Sequence, residues 1–232
     1  MQMPDMFISM LFATAVGFGG AGFLIYLIQA IPRRMDQNFR LEVERSMYEL
    51  ERVSSVPRYA LTGTEKLGVL ALALSAAGLI LSVRPLSVDS LLLCFYFFVL
   101  LALAVINVRH MLLPDVLVLS TLWIGLIQHA YFGNSSDYVL GAAAAYSVLV
   151  VVDVLAQTKM GASVLGRGDA KCLAMAGAWF GVSSVPTLLI VLFGMLVPLM
   201  VVARVARFSR QIPSAPLHII ASLVVAIGVR LA

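Results

Sequence analysis

Gly166-Arg167-Gly168-Asp169-Ala170-Lys171 opens a short apolar run, Ala170 to Gly181, that carries Cys172, Ala176, Gly177, Ala178 and Trp179. A carboxylate at the mouth of a membrane helix is expensive to keep and marks a functional site by default. The two glycines before it let backbone and substrate come close. Asp169 is therefore the first candidate for chemistry, provided that the rest of the chain is built for a membrane.

Composition says that it is. The 232 residues are 61% hydrophobic and only 12% charged, with a mean hydropathy of +0.99. Their apolar residues fall in blocks near the roughly 17 to 25 needed to cross a bilayer. The net charge of +4 and pI near 9.3 do not point to nucleic acid, because basic residues in loops between spans report membrane orientation. Cys94 and Cys172 both lie in apolar runs and form no C-x-x-C, so they read as packing residues, with no disulfide framework and no metal site. The start, Met1-Gln2-Met3-Pro4-Asp5, lacks a basic n-region, and the apolar run after it is too long for a signal peptide, so a retained first span is expected.

Taken in order, the sequence predicts an all-α polytopic membrane protein of about eight transmembrane helices with one cytoplasmic loop of moderate length. The first span, 7–31, is rich in small residues (Gly17, Gly19, Gly20, Ala21, Gly22) that permit close helix contact, and it ends at Pro32-Arg33-Arg34. Residues 32–66 form the one long polar stretch, in which 38–53 can make a charged helix with Phe39, Val43, Met47 and Leu50 on one stripe. Spans two and three, 67–83 and 90–108, turn at Arg84-Pro85-Leu86-Ser87, and span four ends near Phe132 at the turn Gly133-Asn134-Ser135-Ser136. Span five is 138–156, with Gly141 and four consecutive alanines. The Asp169 helix is span six, and spans seven and eight are 185–205 and 217–231. The expected organisation is thus a first helix at 1–31, a polar insert at 32–66 and a seven-helix core at 67–232.

Glycine, glycine, aspartate and a membrane helix together are similar to the GxGD intramembrane aspartyl proteases. Residues 166–181 resemble the type IV prepilin peptidase string GxGDxKLLAxxGAWxG, and Asn107-Val108-Arg109-His110-Met111-Leu112-Leu113-Pro114-Asp115 resembles their IDLRHMLLPD. The fit extends into Leu122-Trp123-Ile124-Gly125-Leu126. Weaker likenesses join residues 22–33 to GSFLNVVIYRLPR, with Ile25 for Asn and Ala30 for Arg, and the last segment to IPFGPFLA, with Ser214-Ala215 for Phe-Gly. The resemblance implies hydrolysis of a peptide bond after a short basic leader, ahead of the apolar helix of a pilin or pseudopilin precursor. It implies no cofactor for proteolysis and S-adenosylmethionine only where the product is also N-methylated. Bifunctional relatives often carry two zinc-binding C-x-x-C pairs in the first polar loop; 32–66 has no cysteine, which excludes that metal-held domain and weakens the methyltransferase reading.

Charge orients the spans independently. Loops 33–66, 109–115, 157–171 and 204–213 hold fourteen of the sixteen Lys and Arg, leaving Arg84 and Arg230 opposite. The positive-inside rule makes those four loops cytoplasmic, with both termini on the other side of a bacterial inner membrane. Asn107 and Asp169 then both lie at cytoplasmic span ends, as a shared site requires. Aspartyl proteolysis uses two facing carboxylates that share one proton, one activating water while the other polarises the carbonyl. By the resemblance those positions are Asn107 and Asp169. An amide is isosteric with a carboxyl but cannot take up and release that proton, so the chain as written is expected to be dead or severely impaired. Three accounts of this departure compete: an inactivating change, a naturally degenerate member, and a site where Asp115 or Asp153 serves as the second acid. The intact flanking motif favours the first.

Supporting roles fall to Gly166, Gly168, Lys171, Arg109, Pro114 and Asp115. Each has a plainer reading: Asp169 and Asp115 as helix-start residues favoured by the dipole, Asp153 paired or snorkelling, and Arg109 and Lys171 as interfacial anchors. His110 reads as interfacial, with no second His or Cys at ligand spacing, and Trp123 and Trp179 as packing or interfacial residues. Besides the precursor, the expected partner is the lipid bilayer, with no nucleic acid. A non-cleaving prepilin-binding pseudoprotease and an ion-coupled transporter, with Asp169 and Asp153 as ligands, are the alternatives; the internal repeats or paired broken helices a transporter suggests are not found.

Overall fold

The computed structural model describes residues 3–46, 60–83, 86–131, 135–160, 166–205 and 213–228. Outside them lie the end of the expected charged helix from Met47, the Arg84-Pro85 and Gly133-Asn134 turn residues, the loop at Gly161, Gln211-Ile212, and the tail of span eight after Gly228. The described residues form eight α-helices: α1 Met3–Ser46, α2 Gly63–Val83, α3 Val88–His110, α4 Asp115–Tyr131, α5 Ser135–Met160, α6 Arg167–Phe180, α7 Val185–Val205 and α8 Ala215–Gly228. Five stretches, 10–37, 63–82, 88–110, 135–159 and 182–202, are long and apolar enough to cross a membrane. The chain is a multi-pass, all-helical membrane protein.

Helix limits depart from the sequence reading in two ways. First, α1 does not stop at Pro32 but carries it inside the helix and runs on to Ser46. An interior proline removes one N–H from the ladder and crowds the carbonyl one turn back, a disturbance that membrane helices tolerate. Second, α6, read as a span, has only 14 residues. At about 1.5 Å per residue it reaches roughly 21 Å, less than the ~30 Å hydrocarbon core. The helix carrying Asp169 is therefore a short one.

The chain divides into two compact units, Met1–Ile106 and Asn107–Ala232. Within the first, the glycine run of α1 is used selectively. A Cβ on Gly17 would lie 3.1 Å from the Leu74 backbone and one on Gly20 would run into the Phe98 ring, whereas Gly19 and Gly22 face open space. Gly17, Gly20 and Ala21, at i, i+3 and i+4, are the contact face, and Gly19 and Gly22 are exposed.

The second unit is built around α6. Its residues from Asp169 to Trp179, Lys171 excepted, are buried. Leu173 and Ala176 share an apolar core with Ala145 and Leu149 of α5, Leu188 and Leu192 of α7, and Ala221 and Val225 of α8. The approach of α5 to α6 is set by two glycines: a Cβ on Gly141 would lie 2.6 Å from the Gly177 carbonyl oxygen, and one on Gly177 would collide with that of Gly141. Backbone meets backbone there, so neither position has room to yield. Trp179, 6% exposed, donates its Nε1–H to the Thr121 carbonyl at 2.9 Å and fixes α6 to α4, while Trp123 is 60% exposed. Of the two, Trp179 is thus a packing residue. At the end of α6, Gly181 takes φ 78°, a left-handed conformation that favours glycine, and a 3-10 turn at Val182–Ser184 leads into α7.

Replacing Gly177 by valine should cost about 1–3 kcal/mol through overpacking against backbone, read as a lowered thermal midpoint of the detergent-solubilised protein. Gly22→Ala, at a position with nothing within 4 Å, should leave the midpoint unchanged. Equal midpoints for both variants would remove the α5–α6 approach as a packing constraint.

Candidate functional site

Asp169 is the third residue of α6. Gly166 caps the helix, and its N–H donates to Asp169 Oδ2 at 2.9 Å, so the carboxylate reaches back to the helix start, where the dipole favours negative charge. Asp169 is thus not the cap itself. The two preceding glycines are not equivalent. Gly168 is confined, since a Cβ would lie 3.2 Å from the Leu113 side chain, whereas a Cβ on Gly166 would have ordinary room at φ −73°. The expected close approach holds for Gly168 alone, and its partner is Leu113.

Asn107 lies in the last turn of α3, where the unit containing Asp169 begins. Met111 follows with its N–H on the Asn107 carbonyl at 2.8 Å and φ 53°. A non-glycine residue in the left-handed region costs on the order of 1–2 kcal/mol, and here it ends α3 and turns the chain. Three residues later the Pro114 carbonyl accepts from Leu117 and Val118 and starts α4, so the buried Pro114 acts as a helix start.

Both candidates meet the beginning of α8. The Ala215 N–H donates to Asn107 Oδ1 at 3.1 Å, and the Ser214 hydroxyl donates to Asp169 Oδ1 in a short hydrogen bond. Asn107 is 6% exposed and Asp169 7%. One end of α8 therefore engages an amide from α3 and a carboxylate from α6, and three segments far apart in sequence close on one polar spot.

A fourth residue there escaped the sequence reading. His218, one turn into α8 and 1% exposed, places Nε2 at 3.6 Å from Asp169 Oδ1. Neither of its ring nitrogens has a hydrogen-bond partner among the described residues. Leaving such a buried group unsatisfied costs roughly 1–3 kcal/mol. The available signal was that His218 is the one ionisable side chain between Ser214 and Gly228, the pattern that marks function in a membrane helix. Ser214 carried only the signal of a mismatch with an apolar string.

The remaining candidates are distributed differently. Lys171 Nζ is 2.6 Å from Asp115 Oδ2, with side chains 30% and 55% exposed. This pair links the first turns of α6 and α4 and gives both residues a partner other than Asn107 or Asp169. Asp153 accepts from Gln157 Nε2 at 2.7 Å on an α5 that runs on to Met160, about two turns beyond it. Arg109 and His110 are half-buried in the last turn of α3. Cys94 and Cys172 are buried free thiols. No group of three or more His, Cys, Asp or Glu placed to hold a metal occurs among the described residues.

Residues 94–227 match the type IV leader peptidase family. The chain is 43% identical over 98 residues to a prepilin leader peptidase/N-methyltransferase of Escherichia coli (strain K12), covering 41% of this chain and 44% of that protein. It is 44% identical over 89 residues to the protein of the same name from Pseudomonas aeruginosa, covering 38% and 31%, and 40% identical over 128 residues to that of Dickeya chrysanthemi, covering 53% and 44%. Each match spans less than half of the relative's length. No solved structure matches the chain. With more than half of its residues matched, including both Asn107 and Asp169, the chain belongs to the type IV leader peptidase family.

Proposed function

We propose that this protein is a prepilin leader peptidase whose site takes the junction between the basic leader and the apolar helix of a type IV pilin or pseudopilin precursor. Residues 67–232 are its protease portion, and it works at the cytoplasmic face of a bacterial inner membrane, with both termini opposite. The observation that carries the reading is the meeting of Asn107 and Asp169 at the start of α8. These are the positions where the resemblance puts two aspartates.

Asp169 is the base that takes the proton of the attacking water. Asn107 accepts a hydrogen bond as the second carboxyl would, but it cannot give a proton to the scissile carbonyl. Hydrolysis by the two-carboxylate route is therefore severely impaired in this chain. That same feature favours the second reading, a pseudoprotease that binds prepilins without cutting them. Asp115 and Asp153 are weaker substitutes for the missing acid, being engaged with Lys171 and Gln157. Proteolysis needs no cofactor. N-methylation, with S-adenosylmethionine as donor, is a property in the names of the relatives, and 32–66 offers no recognisable methyl-donor site.

Cleavage of a prepilin-like precursor in liposomes tests the reading. Asn107→Asp should exceed the unaltered chain by about 10²- to 10⁴-fold, the ordinary worth of a positioned acid or base, and adding Asp169→Ala should remove that gain. Equal cutting by the unaltered chain would free Asn107 of blame and bring Asp115 or Asp153 forward. Absence of cutting by every variant, despite stable insertion, would favour the pseudoprotease or a transport role.

Lys171 and Asp115 act in this scheme as a tie between helix starts. In a double-mutant cycle on thermal stability their coupling should be about 0.2–1 kcal/mol, as for other solvent-reached pairs. A coupling of several kcal/mol would mean that the pair is part of the buried site.

A further inference from the structure

We propose that His218 is a catalytic residue of this chain, holding the proton that a second carboxylate would otherwise hold. The inference rests on the leader peptidase reading and concerns the activity left to the chain with asparagine at 107.

Hydrolysis by an aspartyl dyad needs two titratable groups sharing one proton. Asn107 withdraws one of them. Within the unit formed by residues 107–232, the imidazole of His218 lies 3.6 Å from Asp169 Oδ1, and no hydrogen bond to another described residue occupies either ring nitrogen. The other neighbours of Asp169 do not titrate in the working range: Ser214 offers a hydroxyl and Gly166 a backbone N–H. Beside these two, His218 is the neighbour whose side chain can both give and accept a proton.

The polar substitutions also coincide in space. The string IPFGPFLA, which the last segment resembles, has Phe and Leu where this chain has Ser214 and His218. Both replacements fall on the helix start that contacts Asn107 and Asp169.

The step closes chemically. Ionised Asp169 takes one proton from water as the water oxygen bonds to the scissile carbonyl carbon, and the His218 imidazolium gives its proton to the carbonyl oxygen, leaving a neutral gem-diol. Protonated Asp169 then gives its proton to the amide nitrogen as the C–N bond breaks. Neutral His218 takes a hydroxyl proton as the new carboxyl forms. Both groups return to their starting states, and no other reactant enters. Asp169 is itself 7% exposed and Asn107 6%, so the movement that admits a peptide to Asp169 is needed in any mechanism at this site and uncovers the adjoining imidazole as well.

The test is cleavage in liposomes of a synthetic precursor with a lysine-rich leader and an apolar helix. The unaltered chain, His218→Gln, His218→Leu, Asn107→Asp and the combination of Asn107→Asp with His218→Leu are compared. The unaltered chain should cut slowly but measurably, both single histidine variants should lose at least tenfold, and adding Asn107→Asp to His218→Leu should bring cleavage back. That recovery shows a folded site, which a structural role for His218 would not give. Equal slow cutting with and without His218 would overturn the proposal, as would an unaltered chain that never cuts while Asn107→Asp does, or a failure of Asn107→Asp to rescue the histidine variant. If Asn107→Asp on its own does not cut, the peptidase reading fails and this inference falls with it.

Discussion

The arrangement at Asp169 depends on how a carboxylate is kept in a buried, largely apolar place. Its oxygens are met by the Gly166 N–H and the Ser214 hydroxyl, with His218 close by. These donors come from the start of α6 and the start of α8, so the carboxylate is solvated by two helix ends instead of water. Burying an ionised group without such partners is prohibitive. Everything that brings α8 to α6 therefore belongs to the site: the shared core of Leu173, Leu188, Leu192 and Ala221 and, on the other flank, the glycine contact with α5.

The shortness of α6 is part of the same solution. A helix that spans the bilayer buries its ends at neither face, and its free N–H groups belong to the interface. With only 14 residues, α6 brings its N-terminus to the polar spot where Asn107, Asp169 and Ser214, at the start of α8, meet. The free N–H of Ala215 is satisfied by Asn107 and that of Gly166 by Asp169. Irregular backbone within a membrane protein is tolerated where protein groups satisfy it, and here the satisfying groups are the candidate site itself.

Sequence made parts of this legible and hid others for identifiable reasons. Asp169 was visible because a carboxylate beside an apolar run is costly to keep there without a use, and Asn107 because its flanking string was intact. The all-helical membrane class followed from apolar blocks alone. Helix ends were less visible: Pro32 reads as a stop, although it did not break α1, whereas the shortness of α6 shows already in the short apolar run from Ala170 to Gly181. Partners distant along the chain were the least accessible. Lys171 and Asp115 are 56 positions apart, and each alone looks like an interfacial charge. His218 is the one ionisable side chain in an otherwise mostly apolar run, and only the fold sets it beside Asp169.

Asparagine at 107 changes the charge of the site without changing its hydrogen-bond frame. Its Oδ1 accepts from Ala215 N–H, as an aspartate oxygen would, so the start of α8 keeps its partner. What is lost is a negative charge near a helix N-terminus, worth about 0.3–1 kcal/mol at exposed sites, and the proton such a group would carry. What is also removed is the repulsion between two buried carboxylates, which only a shared proton relieves. With Asn107, one carboxylate faces one imidazole, His218 Nε2 lying 3.6 Å from Asp169 Oδ1. In the mechanism we propose, the acid missing at 107 is offset by a proton carrier at 218, which the fold sets next to the remaining carboxylate.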